Sequence, residues 1–156
     1  MGEQRFGLGF DVHPRVAGRD LRLAGVFFEH ESGLAGHSDG DVVCHSVADA
    51  LFGAAALGDV GTYFPEDDPS TAGIPGLELL ARAVDVVCGG RHKAVACDAT
   101  VICDRPAIGP RRDELRANLA RALGVSIDRV SVKATRPEGL GLTGDGIGCL
   151  AIATIA

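Results

Sequence analysis

Arg5-Phe6-Gly7-Leu8-Gly9-Phe10-Asp11-Val12 decides the fold, because it reads as a strand with a period of two and places Asp11 and His13 on one face at its end. The next ordered signal follows His37-Ser38-Asp39-Gly40-Asp41. Val42, Val47, Ala48, Leu51, Phe52 and Ala55 recur at helical spacing, with Ser38, Asp39 or Asp41 available as caps, so a helix is predicted over 41–57. His45 lies one turn past Asp41 and projects from that helix.

Outward from these two elements, the turn Gly18-Arg19-Asp20 precedes a predicted strand over 21–28, expected to pair with the first. Residues 58–69 are too rich in turn formers to continue a helix and read as a ligand loop. Helical spacing returns over 75–88, alternation over 94–103, and a third helix starts at Pro110 and ends at Gly124. Strands over 129–135 and 147–155 complete the chain. The order predicts an α+β fold: one domain over 1–156, built on a mixed sheet with helices mainly on one face. Val95, Val101, Ile102, Val130, Val132, Ile147, Leu150, Ile152 and Ile155 are more apolar strand positions than one helical layer covers, so self-association is expected, with a fully covered two-sided core as the alternative.

The 156 residues are 46% hydrophobic, enough for a substantial core. A net charge of −6, one Tyr and no Trp argue against nucleic-acid binding, since neither a basic face nor stacking surface is available. Five cysteines, Cys44, Cys88, Cys97, Cys103 and Cys149, are odd in number and lack C-x-x-C spacing. They suit buried thiols in a reducing cytoplasm. No apolar run reaches the roughly 20 residues of a membrane span, and no signal segment opens the chain, so a cytoplasmic protein is expected.

One Asp and two His on two ordered elements suit a catalytic zinc with its fourth position open, and manganese or iron stay open as alternatives. Taken singly, each His is more readily a hydrogen-bonded residue at a strand end or helix start. Three candidate ligands together favour the metal.

The chain resembles the 2-C-methyl-D-erythritol 2,4-cyclodiphosphate synthase family. The resemblance is carried by Gly9-Phe10-Asp11-Val12-His13, Gly36-His37-Ser38-Asp39-Gly40-Asp41-Val42, His45, Asp49-Ala50-Leu51, Leu57-Gly58-Asp59-Val60-Gly61, Phe64-Pro65, Asp68-Pro69 and Gly139-Leu140-Gly141-Leu142-Thr143-Gly144. It implies a homotrimer with sheets around a threefold axis and active sites between subunits. It also implies a substrate, 4-diphosphocytidyl-2-C-methyl-D-erythritol 2-phosphate, whose 2-phosphate attacks its own β-phosphate and expels CMP.

By the same resemblance, Asp11, His13 and His45 hold zinc or another divalent cation against a substrate phosphate, and His37 and Ser38 position phosphate. Asp59 and Gly61 receive the ribose, and the loop from Phe64 to Asp68 contacts the methylerythritol part. Cys103, Pro106 and Gly109 belong to the cytosine pocket. Thr135 and Glu138 belong to the phosphate-binding end of the next strand, with Glu138 at a second ion, magnesium or manganese.

Departures from the family pattern fall mostly in the carboxy-terminal half. Ala134-Thr135-Arg136-Pro137-Glu138 replaces a threonine-rich stretch, so Arg136 stands where a hydroxyl is usual and is expected to serve the phosphates through charge-assisted hydrogen bonds. Ala107 and Ala72 stand where Lys is common. Leu142 replaces a Phe and Asp145 an Arg at the axial cavity, so loss of axial diphosphate binding is expected. These changes leave open a catalytically impaired trimer that binds zinc and cytidine nucleotide, and the open metal position leaves open a hydrolase. Contact with neighbouring isoprenoid-pathway enzymes is also open.

Overall fold

A computed structural model describes residues 3–156. The first strand, β1 (Arg5–His13), is followed by β2 (Arg15–Ala17), β3 (Leu21–Leu23), β4 (Val26–Phe28) and β5 (Ser32–Leu34). Helices α1 (Val42–Ala55), α2 (Val60–Tyr63) and α3 (Gly76–Cys88) come next. Then β6 (Ala94–Ile102), α4 (Arg112–Leu123), β7 (Val130–Thr135) and β8 (Ile147–Ile155) complete the order. The result is a mixed α+β fold. Its main sheet runs β1-β8-β6-β7, antiparallel except for the parallel pair β6 and β7.

The expected long strand over 21–28 is corrected to a hairpin, and it pairs with itself rather than with β1. Ala24 and Gly25 both adopt left-handed φ, 49° and 71°, as the turn of a two-residue hairpin requires. A buried carboxylate holds that turn: Asp41 accepts from Ala24 N–H at 2.9 Å and Gly25 N–H at 2.7 Å. β1 pairs instead with β8, in register from Arg5 opposite Ile155 to His13 opposite Ile147.

α1 lies against β1 and β8 because β1 presents glycine to it. A Cβ on Gly7 would lie 2.1 Å from the Ala50 carbonyl oxygen, and one on Gly9 would lie 1.9 Å from that of Ser46. Such separations are far inside van der Waals contact, so the alternation of β1 has a glycine face for the helix and a face of Phe6, Leu8, Phe10 and Val12 on the other side. Asp41 caps α1 by accepting from Val43 N–H at 3.2 Å and Cys44 N–H at 3.1 Å. At the other end of the core, Gly124 closes α4 with a φ of 68°.

The apolar surface left uncovered differs from the expected set. Val101, Val130, Val132, Ile147 and Ile155 are buried in the core cluster with α1, α3 and α4, and Ile102 is also buried. The exposed row is Phe6 (78% exposed), Leu8 (60%), Phe10, Val12, Leu150 and Ile152, on the face turned away from α1. Apolar content alone does not say which side of a strand each residue faces; the glycines of β1 assign the side.

Candidate metal centre and its two walls

Asp11 and His13 reach the end of β1 on the helix side, and α1 brings His45 to meet them. Asp11 Oδ2, His13 Nε2 and His45 Nδ1 form a triangle with edges of 2.8, 3.1 and 3.3 Å. Tetrahedral donors around zinc are separated by roughly 3.3 Å, given bonds of about 2.0–2.1 Å, so the set fits a divalent cation in size and in donor chemistry. Ser38 Oγ lies 2.8 Å from His45 Nε2 and also accepts from Gly40 N–H at 3.1 Å. With Nε2 turned to that oxygen, Nδ1 faces the triangle: it donates to Asp11 when the ring is protonated and presents a lone pair, the ligand tautomer, when the ring is neutral. Burial alone would raise the Asp11 carboxyl, but hydrogen bonds from His13 and His45 outweigh it and hold it well below the usual range. Burial lowers His45, and the Asp11 partner with the charges of Asp41 and Asp39 raises it further than burial depresses it.

The loop entering α1 is fixed by carboxylates. Asp41 is fully buried and takes four backbone N–H groups in all, from Ala24, Gly25, Val43 and Cys44. Burial and the neighbouring Asp39 push its pKa up, against those amides. Asp39 accepts from Asp41 N–H at 3.0 Å and Gly76 N–H at 2.9 Å, so it joins the loop to the start of α3.

A cavity of about 260 Å³ opens beside the triangle, lined by His37 and Ser38 on one side and by Asp59, Val60, Gly61 and Phe64 on the other. Asp59 caps α2 through Oδ1, which accepts from Thr62 N–H and Thr62 Oγ1, and these bonds lower its pKa. His37 Nε2 donates to the Asp68 carbonyl at 2.9 Å, and Asp68 itself caps the following turn through Ser70 N–H.

Asp49 is a wall residue to which the sequence reading gave no role. It stands four residues after His45 on α1, hence on the same helix face, and its Oδ1 accepts from Val60 N–H at 2.7 Å. That spacing was the available signal. Glu66, within the expected Phe64 to Asp68 loop, also lines the cavity, as do Thr71, Ile74 and Leu79, which were not singled out.

The remaining expected site residues do not line this cavity. Cys103 N–H donates to the Thr135 carbonyl at 3.1 Å, and its Sγ lies 3.6 Å from the Pro106 carbonyl oxygen, so these residues form a second cluster past β6 and β7. Gly109 opens the turn before α4, while Thr135, Arg136, Glu138 and Leu142 are exposed. Glu138 holds a φ of 52°. Asp145 lies in an exposed turn and offers its backbone carbonyl to Arg15.

Because β8 runs antiparallel to both β1 and β6, the strands β1, β6 and β7 point the same way, and both clusters occupy one end of the sheet. Three strand spacings separate β1 from β7, roughly 14 Å. A ligand touching both His13 and Thr135 of a single chain would have to bridge that gap.

Comparison with known proteins decides the relationship. The model of the YgbB family matches residues 4–156. This chain belongs to the YgbB family. A member from Salinibacter ruber, named 2-C-methyl-D-erythritol 2,4-cyclodiphosphate synthase, is 49% identical over 153 residues, which is 97% of this chain and 98% of that one. The solved structure of a 2C-methyl-D-erythritol-2,4-cyclodiphosphate synthase in its CDP-bound form superposes with a TM-score of 0.89 at 32% identity, covering 97% of this chain and 100% of the other. The bifunctional IspDF from Campylobacter jejuni gives a TM-score of 0.92 at 37% identity, with 98% of this chain matched to 42% of that one. Among the described residues of this YgbB member, no helix is long and apolar enough to cross a membrane.

Proposed function

We propose that the chain is a 2-C-methyl-D-erythritol 2,4-cyclodiphosphate synthase, a phosphorus–oxygen lyase of isoprenoid biosynthesis acting as one domain in the cytoplasm. The observation that carries this reading is the convergence of Asp11, His13 and His45 beside a cavity walled by the family's own motif residues. Likeness to synthases over nearly the whole chain, one of them in a CDP-bound structure, supports a cytidine nucleotide substrate.

In the proposed reaction an oxygen of the 2-phosphate forms a bond to the β-phosphorus of the same molecule. The bond from that phosphorus to the bridging oxygen breaks, and CMP leaves with the electron pair. Ring closure of this kind needs alignment and charge neutralisation more than covalent help from the protein. A divalent cation held by Asp11, His13 and His45, zinc by donor type, supplies charge neutralisation at phosphate when bound. His37 and Ser38 fix the phosphate on one wall; the Asp68 carbonyl sets the plane of the His37 ring. Asp59 and Gly61 hold the ribose, and the segment from Phe64 to Asp68 closes over the methylerythritol carbons and limits water.

The cluster of Cys103, Pro106 and Gly109 with Thr135, Arg136, Glu138 and Leu142 supplies the cytosine and diphosphate contacts, in our reading, from a neighbouring subunit of a homotrimer. Two features support that arrangement: the three strand spacings, roughly 14 Å, between the clusters in one chain, and the uncovered apolar row of β1 and β8. Glu138 would hold a second magnesium or manganese ion, which would supply charge neutralisation at the diphosphate. Arg136, which has no hydrogen-bond or ion-pair partner among the described residues, contributes a cation to the phosphates where relatives use a hydroxyl. The bifunctional Campylobacter protein makes contact with neighbouring pathway enzymes a natural extension.

Phosphorus NMR on metal-loaded protein with 4-diphosphocytidyl-2-C-methyl-D-erythritol 2-phosphate tests the proposal. Equal amounts of cyclic diphosphate and CMP are expected. Linear hydrolysis products would turn the reading to a hydrolase, and unchanged substrate to a nucleotide-binding trimer.

A further inference from the structure

We infer that Arg19, in the turn between β2 and β3 and outside the cavity lining, is a positioning residue for His37 and Ser38. The inference rests on the functional reading above, in which those two residues hold phosphate. The Arg19 guanidinium spans the carbonyls of the two residues that flank His37: Nη1 donates to the Gly36 carbonyl at 3.0 Å and Nη2 to the Ser38 carbonyl at 2.6 Å. The carbonyl between them, that of His37, accepts from Gly73 N–H at 2.7 Å. Three successive carbonyls are therefore committed, two of them to one side chain whose planar fork is matched to a pair of oxygens.

The consequence reaches both side chains of the pair. With its backbone fixed on both sides, His37 directs Nε2 to the Asp68 carbonyl at 2.9 Å, and Ser38 directs Oγ to His45 Nε2 at 2.8 Å. Releasing the guanidinium frees the peptides that aim both groups. Placement of Arg19 is itself written into the chain at Gly33 on β5, opposite Val16 of β2. A Cβ there would lie 2.2 Å from the Asp20 carbonyl oxygen and 2.8 Å from that of Arg19, so only glycine lets the Arg19 turn cross β5 this closely. Gly18, with a φ of 75°, reverses the chain immediately before it.

The test compares Arg19→Ala and Arg19→Lys with wild type that has first been shown to form cyclic diphosphate; absence of that product in wild type counts against the functional reading, not against Arg19. For Arg19→Ala we expect kcat to fall by roughly 10- to 100-fold, the scale of an ångström-level misplacement. KM is expected to stay within about twofold at saturating metal, where bound metal per chain is unchanged. Arg19→Lys, which keeps the charge and one donor group, should be intermediate, and millimolar guanidinium should restore part of the loss in Arg19→Ala. A second readout is independent of turnover: nitrogen-15 NMR should show the His37 ring as the Nε2–H tautomer in wild type and as a mixture in Arg19→Ala. Wild-type kcat in Arg19→Ala, an unaltered His37 tautomer, or a rate loss that merely tracks metal loss would overturn the inference. If Arg19→Ala does not fold, Arg19→Lys is read alone, and wild-type kcat with an unaltered His37 tautomer overturns the inference.

Discussion

At the scale of single residues, the centre depends on how each ligand is aimed. His45→Ala should abolish stoichiometric metal binding, measured by metal analysis after dialysis, because Asp11 and His13 alone leave two donors. Ser38→Ala should bind metal more weakly by roughly 10- to 100-fold in a chelator competition, the usual cost of losing a group that orients a ligand histidine. An affinity equal to wild type would mean that Ser38 does not set the His45 tautomer. The thiols give a contrasting prediction. Burial pushes Cys97 and Cys149 up to about 12 and Cys103 up to about 11. At pH 8 the thiolate fraction of Cys97 and Cys149 is on the order of one in ten thousand, so native alkylation monitored by mass spectrometry should be confined to partly exposed Cys88 until the chain is unfolded. Rapid native labelling of Cys97 or Cys149 would contradict the burial described.

At the scale of elements, the packing of α1 on β1 places the candidate metal ligands, and it hangs on two glycines. Gly9→Ala should destabilise the fold by more than about 3 kcal/mol in denaturant unfolding, since backbone faces the new methyl and neither side can yield cheaply. A loss under about 1 kcal/mol would show that α1 can shift without harm. Much of this level was legible in the sequence. The period of two through His13, the cap and helical spacing from Asp41, and the Gly124 stop each have one local cause, and each element formed at the expected place. The hairpin at Ala24-Gly25 was not legible, because alanine carries no turn signal and the group that holds its left-handed turn, Asp41, lies 16 to 17 residues away. Asp49 was hidden for a related reason: its role depends on the chain returning at Val60, and only its offset from His45 hinted at it.

At the scale of the whole molecule, the sheet keeps an apolar face that one chain leaves open and spreads the expected substrate contacts over two clusters. The open face follows from the glycines of β1, whereas the spread follows from strand order, which placed β8 and β6 between β1 and β7 and which no local pattern encodes. Sedimentation should report a mass about three times the 16.0 kDa chain. Phe10→Asp should lower that mass and greatly reduce turnover while each chain stays folded, because a charge in the apolar row opposes association. A folded, fully active monomer would refute the shared-site arrangement.

X-ray absorption at the zinc edge of the metal-loaded protein addresses the centre itself. The account predicts a shell of nitrogen and oxygen at about 2.0–2.1 Å with the outer scattering of two imidazoles, lost in His45→Ala. A shell containing sulfur at about 2.3 Å, placing the ion on cysteine, would contradict it.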